Sequence, residues 1–357
     1  MVKVYFKFMR RIKKIKIGNR FIGKGEPCFI IAEIGANHDQ KISQGKKLID
    51  AAYEAGVDAV KFQSFTVENW ISREMTSFPT LSKKKNIYKT LKKCELPYEM
   101  YKKFQAYAQR KGLICFSTPS HKTDIDRLEK NNVPVFKFGS VQITDIPTIK
   151  YAASKRKPII LATGASNLAE VREAVKAIYS TGNKKIILLH CTSLYPTLSE
   201  QVNLRAMLTL KNKFNLPVGY SDHTLDPIIV PVAAVALGAC VIEKHITLNR
   251  KLKGPDHPFA IEPKELSRMV EGIRKTEKSL GSSIKKCLPE EKEIVLMGRR
   301  SIVAQKNIKK REVILKEMLN IKRPGYGIPP KFLDKLVGKK AKQNINKDKV
   351  ISWKMVK

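Results

Sequence analysis

Two lysines stand inside otherwise apolar runs: Lys61 in Ala-Val-Lys-Phe-Gln and Lys137 in Val-Phe-Lys-Phe-Gly. A buried ammonium group is costly without an anion beside it. Either a structural carboxylate supplies that anion, or the two lysines flank a ligand carrying phosphate or carboxylate, for which ammonium groups serve as point charges. A Schiff-base lysine is another use, but two lysines favour charge neutralisation over covalent catalysis. Thr118, Ser140 and Ser221 end comparable runs and could add hydroxyl donors. His223 and His245 are 22 residues apart, which is no metal signature in itself. Set on neighbouring strand ends, beside Asp222 and Glu243, two neutral imidazoles could share one divalent cation. The plainer alternative is two ordinary polar residues. The stretch Lys253-Gly-Pro-Asp-His257 reads as a turn that either holds Asp256 over a site or exposes it to solvent. His38, in Gly-Ala-Asn-His, suits a loop-fixing role.

These residues share one kind of position. Eight β-rich runs, Cys28–Ile34, Val57–Phe62, Leu113–Phe116, Val133–Phe138, Pro158–Ala162, Lys185–His190, Pro217–Tyr220 and Cys240–His245, alternate with amphipathic stretches. Gln44–Ala55, Tyr98–Arg110 and Leu168–Ser180 are the clearest helices. Alternation of this kind means parallel pairing through crossovers. Eight units in somewhat over 250 residues predict a (β/α)8 TIM barrel, with a doubly wound sheet as the alternative. Barrel chemistry sits where strands end, and each run ends in polar residues: Glu33; Lys61 and Gln63; Ser117 and Thr118; Lys137 and Ser140; Thr163; Ser193 and Tyr195; Ser221 and His223; Glu243 and His245. The segment Thr66–Leu96, with Trp70, is long for a barrel loop and could cover one mouth.

A barrel over residues 1–285 leaves a linker at 286–297 and a small β-rich module at 298–357. Ser282–Glu293 reads as a linker helix. The tail is loop-rich, with a Pro-Gly-x-Gly turn at Pro324–Gly327, and carries 18 Lys+Arg against 4 Asp+Glu. The 357-residue chain is 43% hydrophobic and 28% charged, which argues against disorder. Its net charge of +37 fits a lysine-rich solvated surface, and also nucleic acid, membrane surfaces or anionic small molecules as partners. No RNP, KH or zinc-finger pattern accompanies the charge, so a specific nucleic-acid partner is not expected. Six cysteines without CxxC spacing suit a reducing compartment. Met1–Arg20 has no long apolar segment, so no secretory signal is expected, and Met9 is a second candidate start. The longest apolar stretch, Pro227–Ile242, is broken by Gly238 and prolines and reads as core, so no membrane association is expected. A cytoplasmic protein is expected.

The longest motifs are Phe29-Ile-Ile-Ala-Glu-Ile-Gly-Ala-Asn-His38, Val60-Lys-Phe-Gln-Ser64, Lys137-Phe-Gly-Ser140, His190-Cys-Thr-Ser-Leu-Tyr-Pro196, Gly219-Tyr-Ser-Asp-His-Thr224 and Ile242-Glu-Lys-His-Ile-Thr247. With Lys253–His257 and Ile321–Gly325, they make the chain resemble the N-acylneuraminate (sialic acid) synthases from about Ile15 to the end. The resemblance implies a TIM barrel followed by a small antifreeze-like (SAF, β-clip) domain. It implies condensation of phosphoenolpyruvate with an N-acylated amino sugar, releasing phosphate and leaving a nine-carbon 2-keto acid. The sugar would be N-acetylmannosamine or its 6-phosphate, or a diacetamido hexose on the legionaminate or pseudaminate branch.

The same resemblance makes Lys61, Thr118, Lys137, Ser140, Ser193 and Ser221 the phosphoenolpyruvate clamp. Gln63, Gln142, Tyr195, Asp256 and Arg323 become sugar-binding residues, and Glu33, Glu243 and Arg323 catalytic ones. His223 and His245 become ligands of a divalent metal, Mn2+ first and Mg2+ or Co2+ next. Arg323 would come from the partner subunit of a domain-swapped homodimer. Four positions depart from the common pattern: Ala162 for Ser, Gln142 for an acid, Ser193 for Asn, and Arg311 at a usual glycine turn. Val141–Pro147 is more similar to pseudaminic members and Lys253–Pro263 to neuraminic or legionaminic ones. Readings that compete with a synthase are a basic nucleic-acid-binding barrel and a related protein that keeps the fold without the activity.

Overall fold

A computed structural model describes residues 13–75 and 87–357. The candidate start at Met9 and part of the long Thr66–Leu96 segment lie outside the described residues. A short hairpin, β1 (Ile15–Ile17) and β2 (Arg20–Ile22), precedes eight strands: β3 (Phe29–Gly35), β4 (Ala59–Ser64), β5 (Ile114–Pro119), β6 (Phe136–Phe138), β7 (Ile159–Ala162), β8 (Ile186–Cys191), β9 (Val218–Asp222) and β10 (Val241–His245). Apart from the end of β4, every residue of these eight strands is buried. Helices cover one side and packed side chains the other, which is why the runs read as continuous Val/Ile/Leu and not as alternation.

All eight strands are parallel, in the order β5-β4-β3-β10-β9-β8-β7-β6. The two ends of that order, β5 and β6, lie side by side. No backbone ladder joins them among the described residues, so the barrel has one seam closed by packing. The outer helices follow their periodicity. Tyr98–Arg110 buries Tyr101, Phe104, Gln105 and Ala108 at spacings of three and four. Gly45, on the helix Ile42–Glu54, leaves the room that the Phe104 ring occupies. Asn167 caps Leu168–Ser180 and Glu170 closes a capping box.

The chain divides into two compact units, Met1–Gly281 and Ser282–Lys357. In the second, the expected helix over Ser282–Glu293 does not form. A single 3-10 turn, Pro289–Glu291, leads into a later helix, Lys292–Gly298. Pro289 explains the shift: it disfavours helical backbone at Leu288 and itself starts the helical part. Then β11 (Ser301–Ala304) pairs antiparallel with β12 (Leu319–Lys322) over a core that includes Ile302, Ile314, Ile328 and Ile351. Arg311 adopts φ 69°, a left-handed conformation that glycine takes up more readily than a residue with a side chain.

Candidate active site

Parallel register sets Glu33 of β3 beside Lys61 of β4. The Lys61 ammonium lies 2.5 Å from Glu33 Oε2 and 3.7 Å from Glu243 Oε2 on β10. It donates to Thr118 Oγ1 on β5 at 3.1 Å. Lys137 Nζ, from β6, lies 3.1 Å from Glu243 Oε1, which also accepts from Ser221 Oγ on β9 at 2.9 Å. Two ammonium groups and two carboxylates therefore form one buried, charge-balanced cluster drawn from four strands. Of the anticipated uses of the lysines, the structure shows carboxylate partners, and both lysines also line a cavity.

Burial pushes the two carboxyls the same way, but their neighbours separate them. For Glu33, burial outweighs Lys61 and the nearby Glu243 charge adds to it, so its pKa is raised. For Glu243, burial is outweighed by Lys137 and Lys61, and its pKa is lowered to about 2. A carboxyl pair driven apart in this way has one member that stays ionised and one that holds a proton more readily than an ordinary glutamate.

All fourteen first-unit residues named above as clamp, sugar, metal or catalytic candidates line one cavity of about 230 Å3 at the C-terminal ends of the strands. A larger, more open cavity of about 510 Å3 lies beside it and shares Cys191 and Ser193, but no lysine or carboxylate lines it. Ser193 Oγ is buried without a hydrogen-bond partner. Ser140 Oγ accepts from Gly164 N at 3.1 Å and lies 2.8 Å from Cys191 Sγ. Any side chain on Gly164 would collide with Ser140, Cys191 and Ser193, so glycine is what lets the three converge. Ala162 lines the same cavity and offers no donor. Gln63 Nε2 donates to Glu33 Oε1 at 3.1 Å. Both ends of the Gln142 amide are held by backbone groups, Gly139 N and Pro119 O.

The His223 and His245 rings are 5.8 Å apart, centroid to centroid, nearly edge to face. His223 Nδ1 pairs with Thr192 O at 2.7 Å, which leaves its other nitrogen for a different partner. His245 Nδ1 is buried with no hydrogen bond, 3.8 Å from Asp256 Oδ2. Burial lowers the His223 pKa to about 4, and burial, helped by His223 and Lys61, holds that of His245 well below the ordinary histidine range. Both imidazoles are thus neutral, the form that ligates metals. Burial, with Glu33 nearby, raises the Asp256 pKa to about 6. Tyr195 packs on His223, with ring centroids 4.1 Å apart and the planes tilted by 32°.

Asp222 corrects one expectation. Strand alternation turns Ser221 and His223 inward and Asp222 outward, where it pairs with Lys244 at 2.5 Å and accepts from Thr224 N. It is not beside the imidazoles as an available ligand. Among the described residues no cluster of three or more His, Cys, Asp or Glu is arranged to hold a cation. His38 accepts from Gln40 N, and His257 links Thr247 to Asp39, so both fix loops. Among the residues not anticipated at the site, Phe65, Cys191 and Phe259 also line the cavity, and Phe259 packs on Tyr195 and His245. The motif around Tyr195 and the turn at Asp256 are the signals that could have marked the last two. Trp70, from the long loop, lines the cavity as expected. Arg323 belongs to the second unit, exposed just beyond β12.

Residues 48–285 match the NeuB family model, and residues 299–357 match the SAF domain. The chain belongs to the NeuB family. It is 40% identical to the N,N'-diacetyllegionaminic acid synthase of Campylobacter jejuni, over 90% of this chain and 98% of that one. It is 36% identical to a pseudaminic acid synthase of the same species, over 93% and 96%. A solved N-acetylneuraminic acid synthetase from Leptospira borgpetersenii superposes with a TM-score of 0.72 at 33% identity, covering 80% of this chain and 95% of that one. This NeuB-family chain is therefore a sialic-acid-type synthase in class, with relatives named for three different products. Among the described residues no helix is long and apolar enough to cross a membrane.

Proposed function

We propose that this NeuB-family protein condenses phosphoenolpyruvate with an N-acylated amino sugar to give a nine-carbon 2-keto sugar acid and inorganic phosphate. The observation that carries the reading is the Lys61–Glu33–Glu243–Lys137 cluster at the mouth of the barrel, beside two neutral imidazoles. Lys61 and Lys137 neutralise the phosphate and carboxylate of phosphoenolpyruvate, with Thr118, Ser140, Ser193 and Ser221 as hydroxyl donors. C3 of the enol bonds to the aldehyde carbon of the open sugar, whose oxygen gains a proton. Water adds at C2, and phosphate leaves from the resulting tetrahedral carbon. Glu33, the carboxyl with the raised pKa, takes the proton from that water, while Glu243 stays ionised and balances the positive charge at C2. Gln63, Tyr195 and Asp256 orient the sugar. Arg323 completes the sugar site from the partner subunit of a swapped homodimer.

The residues present suit a divalent cation: His245 Nδ1 is unpartnered, and the imidazoles are neutral and adjacent. His223 and His245 would hold it, Mn2+ in this reading with Mg2+ or Co2+ as alternatives, and when bound it would supply Lewis acidity toward the aldehyde oxygen.

Two sugars compete for the reading. N-acetylmannosamine, free or 6-phosphorylated, would make the protein a sialic acid synthase. A diacetamido hexose would put it on the legionaminate or pseudaminate branch, and the 40% identity to a legionaminic acid synthase favours that second reading. Mass spectrometry of products formed from phosphoenolpyruvate and each sugar decides between them. One sugar is expected to gain the mass of a pyruvate unit, and no such product with any sugar contradicts the proposal.

A further inference from the structure

We propose that Gln142 is a positioning residue for the phosphoenolpyruvate clamp, and that its amide staples the open seam of the barrel and does not bind the sugar. The inference rests on the reaction proposed above. The seam lies between β5 and β6, the two neighbours that share no backbone ladder. A 3-10 turn over Ser140–Gln142 folds the Gln142 side chain back over the end of β6. Its Oε1 accepts from Gly139 N at 2.7 Å, one residue past β6. Its Nε2 donates to Pro119 O at 2.7 Å, the last residue of β5. One side chain thus supplies at the rim the kind of link that a ladder supplies elsewhere in the barrel.

What the staple joins gives it a function. Thr118, which receives the Lys61 ammonium, precedes Pro119. Ser140, which receives Gly164 N, follows Gly139. Two clamp hydroxyls on opposite sides of the seam are therefore held at a fixed separation by a group whose acceptor and one donor are both engaged. A primary amide offers a donor and an acceptor, whereas a carboxylate only accepts. Glutamate here could still receive Gly139 N, but it would set a charged oxygen against the Pro119 carbonyl, and the seam would open.

The test compares wild type with Gln142→Glu and Gln142→Met by steady-state kinetics, varying each substrate in turn, and by hydrogen exchange at the Gly139 amide. The staple predicts that Gln142→Glu raises KM for phosphoenolpyruvate about tenfold while KM for the sugar moves less than about twofold. It also predicts that Gln142→Met speeds exchange at Gly139 about tenfold or more, a readout that needs no substrate. A rise confined to the sugar KM would show a direct sugar contact and overturn the proposal, as would unchanged exchange at Gly139. A wild-type protein that consumes no phosphoenolpyruvate with any sugar overturns the reaction, and with it the role in the clamp. The exchange result separately decides whether the staple exists.

Discussion

At the scale of single residues, the site is a balance of four buried charges, and removing one leaves another exposed to the cost of burial. Lys137→Met strips Glu243 of its nearest ammonium. An uncompensated buried carboxylate costs about 3–5 kcal/mol, so thermal or denaturant unfolding should show a loss of that order. Adding Glu243→Gln should restore most of the stability and none of the turnover, because the phosphoenolpyruvate charge still lacks its partner. Recovery of turnover in the double variant would show that Lys137 serves Glu243 alone. The raised Glu33 carboxyl makes a second prediction. If Glu33 acts ionised, turnover falls as pH drops through its pKa, which burial places above the ordinary glutamate range. Lys61, Gln63, Glu243 and Asp256 surround it, and Asp256 is itself raised to about 6. The limb is expected to persist in Asp256→Asn, and Glu33→Gln should abolish turnover at every pH. A limb that vanishes with Asp256→Asn would move the base to that residue.

At the scale of elements, the end of the barrel away from the chemistry is held by another charge network. Asp58, just before β4, accepts from Ile30 N on β3 at 2.8 Å and from Arg274 on the helix Pro263–Leu280 at 3.1 Å, and it pairs with Arg20 of the β1–β2 hairpin. Asp58→Ala should cost about 2–4 kcal/mol of stability. It should leave KM for both substrates unchanged in the folded fraction, since the site lies at the opposite strand ends. Much of this architecture was legible in the chain, because buried parallel strands announce themselves as apolar runs and helices by spacing. For β4, β5 and β9 the apolar run ends before the strand does. The ladder continues through Gln63–Ser64, Ser117–Pro119 and Ser221–Asp222, since the strands themselves carry the polar residues into the site. β6 starts later than expected because Pro134 has no N–H to pair. The outward turn of Asp222 was encoded in the period of two. The pairings Glu33–Lys61 and Lys137–Glu243 were not, because register between distant strands is set by the closed barrel and not by any local pattern. The same holds for the Gln142 staple, which joins residues 23 apart across a seam.

At the scale of the whole molecule, the barrel carries the cluster, the imidazoles and the cavity, and the second unit carries Arg323. The proposed swapped dimer makes a prediction that neither unit makes alone. Arg323→Ala and Lys61→Met should each be nearly inactive as pure proteins. Co-expressed, they should regain about a quarter of wild-type activity, because mixed dimers hold one intact barrel facing one intact arginine. No recovery on mixing would place the arginine in the same chain as the site it serves. The +37 net charge concerns solubility and attraction of anionic substrates more than fold. Its effect on kcat/KM should weaken as salt is raised.

In the proposed reaction the buried lysine–carboxylate cluster consumes phosphoenolpyruvate only together with an amino sugar. The most direct measurement is phosphate release from phosphoenolpyruvate by the full-length protein with Mn2+, with and without the accepted sugar, beside Lys137→Met. One phosphate per 2-keto acid formed is expected, with no release without the sugar and a loss of about a thousandfold in kcat/KM for the variant. Phosphate release that proceeds without any sugar, or that survives the loss of Lys137, would contradict it.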